Sequence, residues 1–342
     1  MTSYDIQYKQ ILEQIIKSGS TKETRAGKVR SIFGSTIRVN LQEGLPLLTT
    51  KKVFYRGIIH ELCWFIKGST NIKYLVDNNV HIWDDDAYRY YKDNIFNQPF
   101  MCSQTDDMPV SKEEFLTLVQ TGQRMNYIDK NVINPVYRTY VFGDLGPVYG
   151  QQWRRFGVTQ RDQLQNIVDT LKTNPDDRRM LCVAFNPDVV DEVALPPCHV
   201  LFQFYTEELP EFERKKIALA KGLDEDDQTI PTRKLSLCYY MRSNDWCCGQ
   251  PFNTASYAML VYILCDICNM VPGEVIFFGG DTHMYENHLE QAQEQLQRIG
   301  YSKCPRFIIK KHMNSLDDVC FDNFEVVDYQ SDAAIRYPLN VG

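Results

Sequence analysis

The chain has 342 residues, of which 44% are hydrophobic, and a formal net charge of -7. That is enough apolar material for a sizeable core, in one large domain or two. The acidic balance excludes a general nucleic-acid or membrane-surface binder and predicts no DNA binding, although a few local arginines can still hold a small anion.

Residues 4–17 (YDIQYKQILEQIIK) place apolar side chains at helical spacing and predict an N-terminal helix. Partial alternation over 31–41 reads as a strand, and 57–67 (GIIHELCWFIK) as a mostly buried helix. A weaker helix falls at 112–121, and the amphipathic run 163–173 (QLQNIVDTLKT) is a helix closed by the Asn174-Pro175-Asp176 turn. Strands follow at 180–185, 200–205 and 234–242, then a long core helix at 253–270, a strand at 274–278 and a helix at 285–299. The irregular mix predicts an α+β fold rather than repeated βαβ units. Two stretches, about 87–142 and 206–233, read as insertions and surface excursions, the first rich in Asp, Tyr and Asn, the second highly charged.

Eleven scattered cysteines, and a start (MTSYDIQYKQ) without a basic segment and apolar run, point to a reducing cytoplasm and no disulfides. The longest apolar run, 257–270, contains Asp266 and is too short for a bilayer. Cys63, Cys182, Cys238, Cys265 and Cys268 sit in apolar runs, as small hydrophobes do. The Cys265–Cys268 spacing lacks a second pair, and no metal is expected.

Cys198 differs. Two prolines precede it in Leu195-Pro196-Pro197-Cys198-His199, fixing the backbone at the mouth of the 200–205 strand. A thiol becomes a nucleophile once neighbouring cations favour the thiolate. Arg25, Arg178, Arg179 and Arg242 are candidates for paired hydrogen bonds to a phosphate, against the alternative of surface ion pairing. Asn253, in Gly249-Gln250-Pro251-Phe252-Asn253, offers a donor beside an acceptor, which matches the uracil edge; a helix N-cap is the alternative. In 279–288 (GGDTHMYENH), His283 and Tyr285 stand two residues apart in an extended segment and can reach one ligand hydroxyl. The segment is not HExxH, so zinc hydrolysis finds no support.

In this order, the segments resemble thymidylate synthase: SIFG at 31–34, TTKK at 49–52, HELCWFIKGSTN at 60–71, IWD at 82–84, GDLGPVYGQQWR at 143–154, DDRRM at 176–180, PPCH at 196–199, QFY at 203–205, RSND at 242–245, PFNTASYAML at 251–260 and GDTHMYENH at 280–288. The resemblance covers most of the chain outside the two insertions. It implies one catalytic domain over 1–342 with the three-layer α+β fold of that family, whose mixed β-sheet forms the interface of a homodimer. It implies Cys198 as the nucleophile that attacks C6 of dUMP. Arg25, Arg178, Arg179, Arg242 and Ser243 would hold the phosphate, with Arg178 and Arg179 reaching in from the partner subunit. Asn253 would read the uracil edge, and His283 and Tyr285 the 3′-hydroxyl. Glu61, Tyr149 and His199 would organise water and proton transfers. Ile82, Trp83, Asp245, Gly249 and Phe252 would line the site for the co-substrate 5,10-methylenetetrahydrofolate, with Asp245 also among the catalytic set. Thiolate addition at C6 makes C5 nucleophilic toward the folate methylene. Hydride then gives dTMP and dihydrofolate, whereas water gives 5-hydroxymethyl-dUMP.

Three departures from the family pattern stand out. Cys248 occupies the place of the Leu in Leu-Gly-x-Pro-Phe-Asn, which removes roughly 1–2 kcal/mol of apolar contact with folate. Asp85 and Asp86 follow IWD where several synthases carry an aromatic residue. The chain ends Pro338-Leu339-Asn340-Val341-Gly342, not in a small residue followed by Val or Ile. Site closure excludes water from a reactive intermediate, so an altered tail and a thinned folate wall favour water as the terminating group. The sequence therefore leads to a dUMP hydroxymethyltransferase of the kind bacteriophages use for modified DNA precursors, in the host cytoplasm. An ordinary thymidylate synthase is the alternative. The run 242–245 also resembles a phage dCMP hydroxymethylase, but Asn253 argues against dCMP. A regulator that binds without catalysis is disfavoured by the joint presence of Cys198, Arg242 and Asn253.

Overall fold

A computed structural model describes residues 1–96, 109–129, 136–224 and 227–340. In chain order the elements are α1 (Ser3–Ser18), β1 (Ser20–Thr24), β2 (Gly27–Asn40), α2 (Tyr55–Ile66), α3 (Lys73–Asp77), α4 (Asp84–Tyr90), α5 (Lys112–Gln120), β3 (Arg124–Asp129) and β4 (Val136–Val141). They continue with α6 (Tyr149–Arg154), α7 (Gln163–Thr173), β5 (Leu181–Val183), β6 (His199–Glu208), α8 (Glu211–Lys221), β7 (Arg233–Asp245), α9 (Gly249–Cys268), β8 (Val271–Tyr285), α10 (Leu289–Gln297), β9 (Arg306–Ile309) and β10 (Phe324–Val327).

The main sheet has six strands in the order β1-β2-β8-β7-β6-β5. All neighbours run antiparallel except β7 and β8, which run parallel, so the sheet is mixed, as the α+β reading requires. The parallel pair is joined by α9, whose side chains are buried almost all round. A helix without a polar face belongs inside. It packs on β7 and β8 on one side and on α2 and α7 on the other, which sets up three layers. Asn269 ends α9 in the left-handed conformation at φ 51°, a place where Asn is tolerated.

The other face of the sheet is open. Phe33 is 85% exposed and Tyr205 65%, with Phe278 and Leu181 also on the surface. Large apolar side chains on an uncovered sheet face mark a contact surface.

Register decides where the chemistry goes. The pairing of β6 with β7 slips between His199 and Leu201, one residue after Cys198. An extra residue in one strand bends it and re-aims the side chains beside it. The bend turns the start of β6 toward the N-terminus of α9.

The segment expected as a solvated excursion at 87–142 contributes to the core in its described part. Tyr91, Ile95, Phe115, Val119, Tyr140 and Phe142 are buried. Tyr91, Phe115 and Phe142 pack with ring centroids 5.3–5.9 Å apart. A composition rich in Asp, Tyr and Asn reads as solvated, because the tyrosines and phenylalanines meet only after β3 and β4 fold back. The stretch 206–233 is more peripheral: α8 buries only Ala218. The ten described cysteines are all free. Among the described residues, no helix is long and apolar enough to cross a membrane.

Candidate active site

Cys198 is half-buried at the entry to β6. Its backbone N–H donates to the Tyr149 hydroxyl at 2.8 Å. Arg242, on the neighbouring strand β7, donates from Nε to the Pro197 carbonyl at 2.9 Å and from Nη2 to the Pro196 carbonyl at 2.8 Å. The same Nη2 lies 3.9 Å from the Cys198 sulfur. The two prolines thus present carbonyls that anchor the one cation beside the thiol. Burial pushes the Cys198 thiol up from its ordinary value, Arg242 pulls it back, and Asp86 pushes it up. Substrate or solvent access that relieves burial, with Arg242 retained, moves the thiol toward the thiolate.

His199 joins strand and helix. Its Nδ1 is 3.0 Å from the Tyr257 hydroxyl and its Nε2 3.0 Å from Asn253 Oδ1. An amide oxygen only accepts, so Nε2 carries the proton and Nδ1 accepts from Tyr257. Burial lowers the His199 pKa to about 4, and the bond to Asn253 only partly opposes this. The ring is therefore neutral at physiological pH. Asn253 Nδ2 donates to the Met241 sulfur at 3.2 Å, which fixes the amide plane. The first turn of α9 admits Pro251 because its N–H has no helical partner there.

Glu61, on α2, accepts from Trp83 Nε1 at 2.8 Å. Burial raises its carboxyl to about pKa 7, and the Trp83 bond works the other way. A carboxyl poised there can give or take a proton at neutral pH. Asp245 ends β7 and accepts through Oδ1 from the backbone N–H groups of Cys247 and Cys248, at 2.9 and 3.1 Å. A Cβ on Gly249 would meet Asn253 Nδ2 at 3.4 Å, close to ordinary van der Waals contact, so Gly249 sits directly beside that amide.

Glu61, Ile82, Trp83, Gly249, Phe252 and Asn253 line one cleft of about 570 Å³. Lys51, Lys52 and Arg336 supply cations to it, and Leu195, Tyr337 and Leu339 extend its apolar wall. The C-terminal tail is held there by its own contacts. The Tyr337 hydroxyl donates to Gln295 at 2.8 Å, and the Pro338 carbonyl lies 2.7 Å from His288 Nε2. The Lys51 ammonium sits 4.4 Å over the Tyr337 ring. A flat aromatic wall, a carboxylate and a row of cations fit a pterin with an anionic tail.

The remaining expected residues fall as follows. His283 and Tyr285 end β8 on one face, their rings 5.5 Å apart, and His283 Nδ1 is 3.2 Å from Asp281. Ser243 pairs in register with Asp281 in the strand next to them. Arg25 is exposed in the turn between β1 and β2. Arg178 and Arg179 line neither this cleft nor the surroundings of Cys198 in the same chain. They are exposed, and they line a separate hollow with Arg161, Gln163 and Gln203. Arg179 pairs with Asp177 at 2.7 Å.

Sequence reasoning missed Tyr257, Lys51 and Tyr337. Tyr257 lies four residues after Asn253 on α9, so helical spacing alone places it on the same face. Lys51 and Tyr337 meet only through tertiary folding.

The family model described as thymidylate synthase matches residues 6–341. The thymidylate synthase of Mycoplasma mobile is 38% identical over 332 residues, covering 96% of this chain and 98% of that protein. That of Aster yellows witches'-broom phytoplasma is 37% identical over 330 residues, covering 96% and 97%. That of Phytoplasma mali is 38% identical over 327 residues, covering 95% and 96%.

Proposed function

This chain belongs to the thymidylate synthase family, a family of one-carbon transferases that use methylenetetrahydrofolate as co-substrate, and on that premise we propose that it converts dUMP to dTMP with release of dihydrofolate. The observation that carries the reading is the set Cys198, Arg242, His199 and Asn253 gathered at one bend of β6. The hydroxymethyl product favoured by the sequence departures gives way to the methyl product. Relatives named thymidylate synthase align over 95% or more of the chain, and Tyr337 and Leu339 of the tail line the cleft. Gln295 and His288 hold the tail at Tyr337 and Pro338, and a tail held at the cleft limits water, which favours hydride over hydrolysis of the reactive intermediate. The phage and DNA-modification readings rested on the hydroxymethyl product, and the named relatives give them no support.

Methylenetetrahydrofolate supplies the one-carbon unit and the hydride. The chain's residues do the rest. Arg242 favours the Cys198 thiolate, which adds to uracil C6 and leaves C5 nucleophilic. Tyr149 holds the Cys198 backbone in place. Asn253, with its plane set by Met241 and His199, pairs with the uracil edge, and neutral His199 keeps its Oδ1 oriented. Glu61 moves a proton at the uracil carbonyl beside C5. Arg25, Arg242 and Ser243 take the phosphate, and His283 with Tyr285 takes the 3′-hydroxyl. Ile82, Trp83, Gly249 and Phe252 form the folate wall beside Asp245.

The single domain works as a homodimer in a reducing cytoplasm. The open sheet face carrying Phe33 and Tyr205 is its interface, and Arg178 and Arg179 complete the partner's phosphate site. Mixing the protein with dUMP and methylenetetrahydrofolate, then following dihydrofolate absorbance and identifying the nucleotide, tests the assignment. Hydroxymethyl-dUMP without dihydrofolate would overturn it. Cys198→Ser is expected to abolish product, and near-normal turnover would refute the covalent route.

A further inference from the structure

Asp245, Cys248 and His288 stand on three different elements: the end of β7, the residue before α9 and the residue before α10. One ligand atom from each, a carboxylate oxygen, the thiol sulfur and a ring nitrogen, lies within 4.8 Å of the other two. His288 is fully buried. Its Nε2 is 2.7 Å from the Pro338 carbonyl, with Asn340 Nδ2 also 3.1 Å away. The Asn340 amide nitrogen only donates and competes for Nε2, but the shorter contact is to a carbonyl, which only accepts, so Nε2 carries the proton and the lone pair is on Nδ1. That buried Nδ1 has no hydrogen-bond partner. A buried acceptor without a partner is destabilising, and a histidine with one N–H on a backbone carbonyl and a bare second nitrogen is the arrangement seen at metal-bound histidines. Asp245 uses Oδ1 for the Cys247 and Cys248 N–H groups. Among the described residues this is the only group of three such side chains.

We propose that Asp245, Cys248 and His288 bind one thiophilic divalent cation of the zinc class, and that the bound cation blocks the folate side of the cleft. Thiolate, imidazole and carboxylate together suit zinc, with metal–ligand distances of about 2.0–2.3 Å. Ligand atoms around such an ion lie roughly 3.3–3.6 Å apart, so the cluster contracts by about 1 Å on binding, a rotamer-scale movement. The Cys248 thiol releases its proton to solvent as the sulfur–metal bond forms, and no electron transfer is involved. The Lys51 ammonium, held by the Cys247 carbonyl at 2.5 Å, is the nearby opposing charge. The thiolate and the carboxylate bring two negative charges against it. Cys248 lines the cleft, so an ion on its sulfur occupies space that the folate wall needs. His288 also holds the tail, so the ion ties the tail anchor to the cleft wall. This site does not depend on which product the enzyme makes.

Zinc titration against a chromophoric chelator tests the site, using the full chain and its Cys248→Ser and Cys320→Ser variants. Cys320 is exposed and serves as the control thiol. The expected result is one zinc equivalent in the unmodified protein and in Cys320→Ser. Cys248→Ser should lose it, with affinity falling by more than the roughly 10–100-fold cost of an outer-shell partner. Cobalt(II) substitution should give a thiolate-to-cobalt absorption band that Cys248→Ser lacks. Zinc should compete with methylenetetrahydrofolate in the unmodified protein and not in Cys248→Ser. Absence of a stoichiometric zinc equivalent, absence of the cobalt–thiolate band in the unmodified protein, or equal binding by Cys248→Ser would overturn the proposal. The cobalt spectrum of the unmodified protein decides the matter even where the serine variant does not fold.

Discussion

Replacing Arg242 by Gln removes the one cation whose nitrogen lies 3.9 Å from the Cys198 sulfur. Two unit charges about 4 Å apart interact by about 1 kcal/mol in water and about 4 kcal/mol near a protein surface at an effective dielectric of 20. Arg242 is exposed and Cys198 half-buried, which places the interaction toward the lower end, about 1–2 kcal/mol. One pKa unit corresponds to about 1.4 kcal/mol. Arg242→Gln should therefore raise the Cys198 pKa and lower the thiolate fraction about tenfold below it. The assay is the pH profile of iodoacetamide alkylation in the ligand-free protein, with the Cys198 peptide read by mass spectrometry. Arg242→Lys separates charge from geometry: it keeps a cation and loses the fork that binds the Pro196 and Pro197 carbonyls. The Lys variant should shift the profile by less than half as much. An unshifted Gln profile, in protein whose circular dichroism matches the parent, would refute the electrostatic role. Equal shifts in both variants would assign the effect to the anchored carbonyls instead.

Three further outcomes follow from the geometry. Glu61 has a folded pKa raised to about 7 by burial, so the folded state holds its proton more tightly than the unfolded chain, and stability falls as pH rises from the ordinary carboxyl value toward 7. Glu61→Gln should match the parent in urea denaturation at pH 4 and exceed it at pH 8 by about 2–3 kcal/mol; a pH-independent difference would show that desolvation does not control the group. Asn253→Asp places a carboxylate 3.0 Å from His199 Nε2 and replaces an amide donor by an acceptor, so preference should move from dUMP toward dCMP in competition assays; unchanged preference removes Asn253 from base reading. Truncation after Arg336 removes Tyr337 and Leu339 from the cleft wall, and burial of one such side chain is worth about 1.5–3 kcal/mol. The KM for methylenetetrahydrofolate should rise roughly 10–100-fold, and an unchanged KM would mean the tail does not contact the co-substrate.

Strong local periodicity marks the elements, and short runs of residues carry the chemistry. The α7 boundaries at 163–173 were legible because an amphipathic repeat and a turn enclose them. Cys198 and Asn253 were legible because each sits in a run whose residue types are chemically coherent. Strand ends were less legible. The run read as a strand at 274–278 extends over Val271–Tyr285, because pairing with β2 on one side and β7 on the other holds residues that alternation alone does not mark.

Which charges meet depends on long-range pairing. Arg242 and Cys198 are 44 residues apart, and it is the β6–β7 pairing that sets the guanidinium beside the sulfur. Arg178 and Arg179 look equivalent to Arg242 in sequence, yet they line a separate hollow beside β5. The tail is the sharpest case. The departure at Val341-Gly342 lies outside the described residues, but Tyr337 lines the cleft because Gln295 and Lys51 hold it, with Pro338 on His288, from elements far away in the chain. Residue identity fixes which interactions a side chain can make. Long-range packing decides which of them it makes, because charge and burial depend on distances that no local pattern encodes.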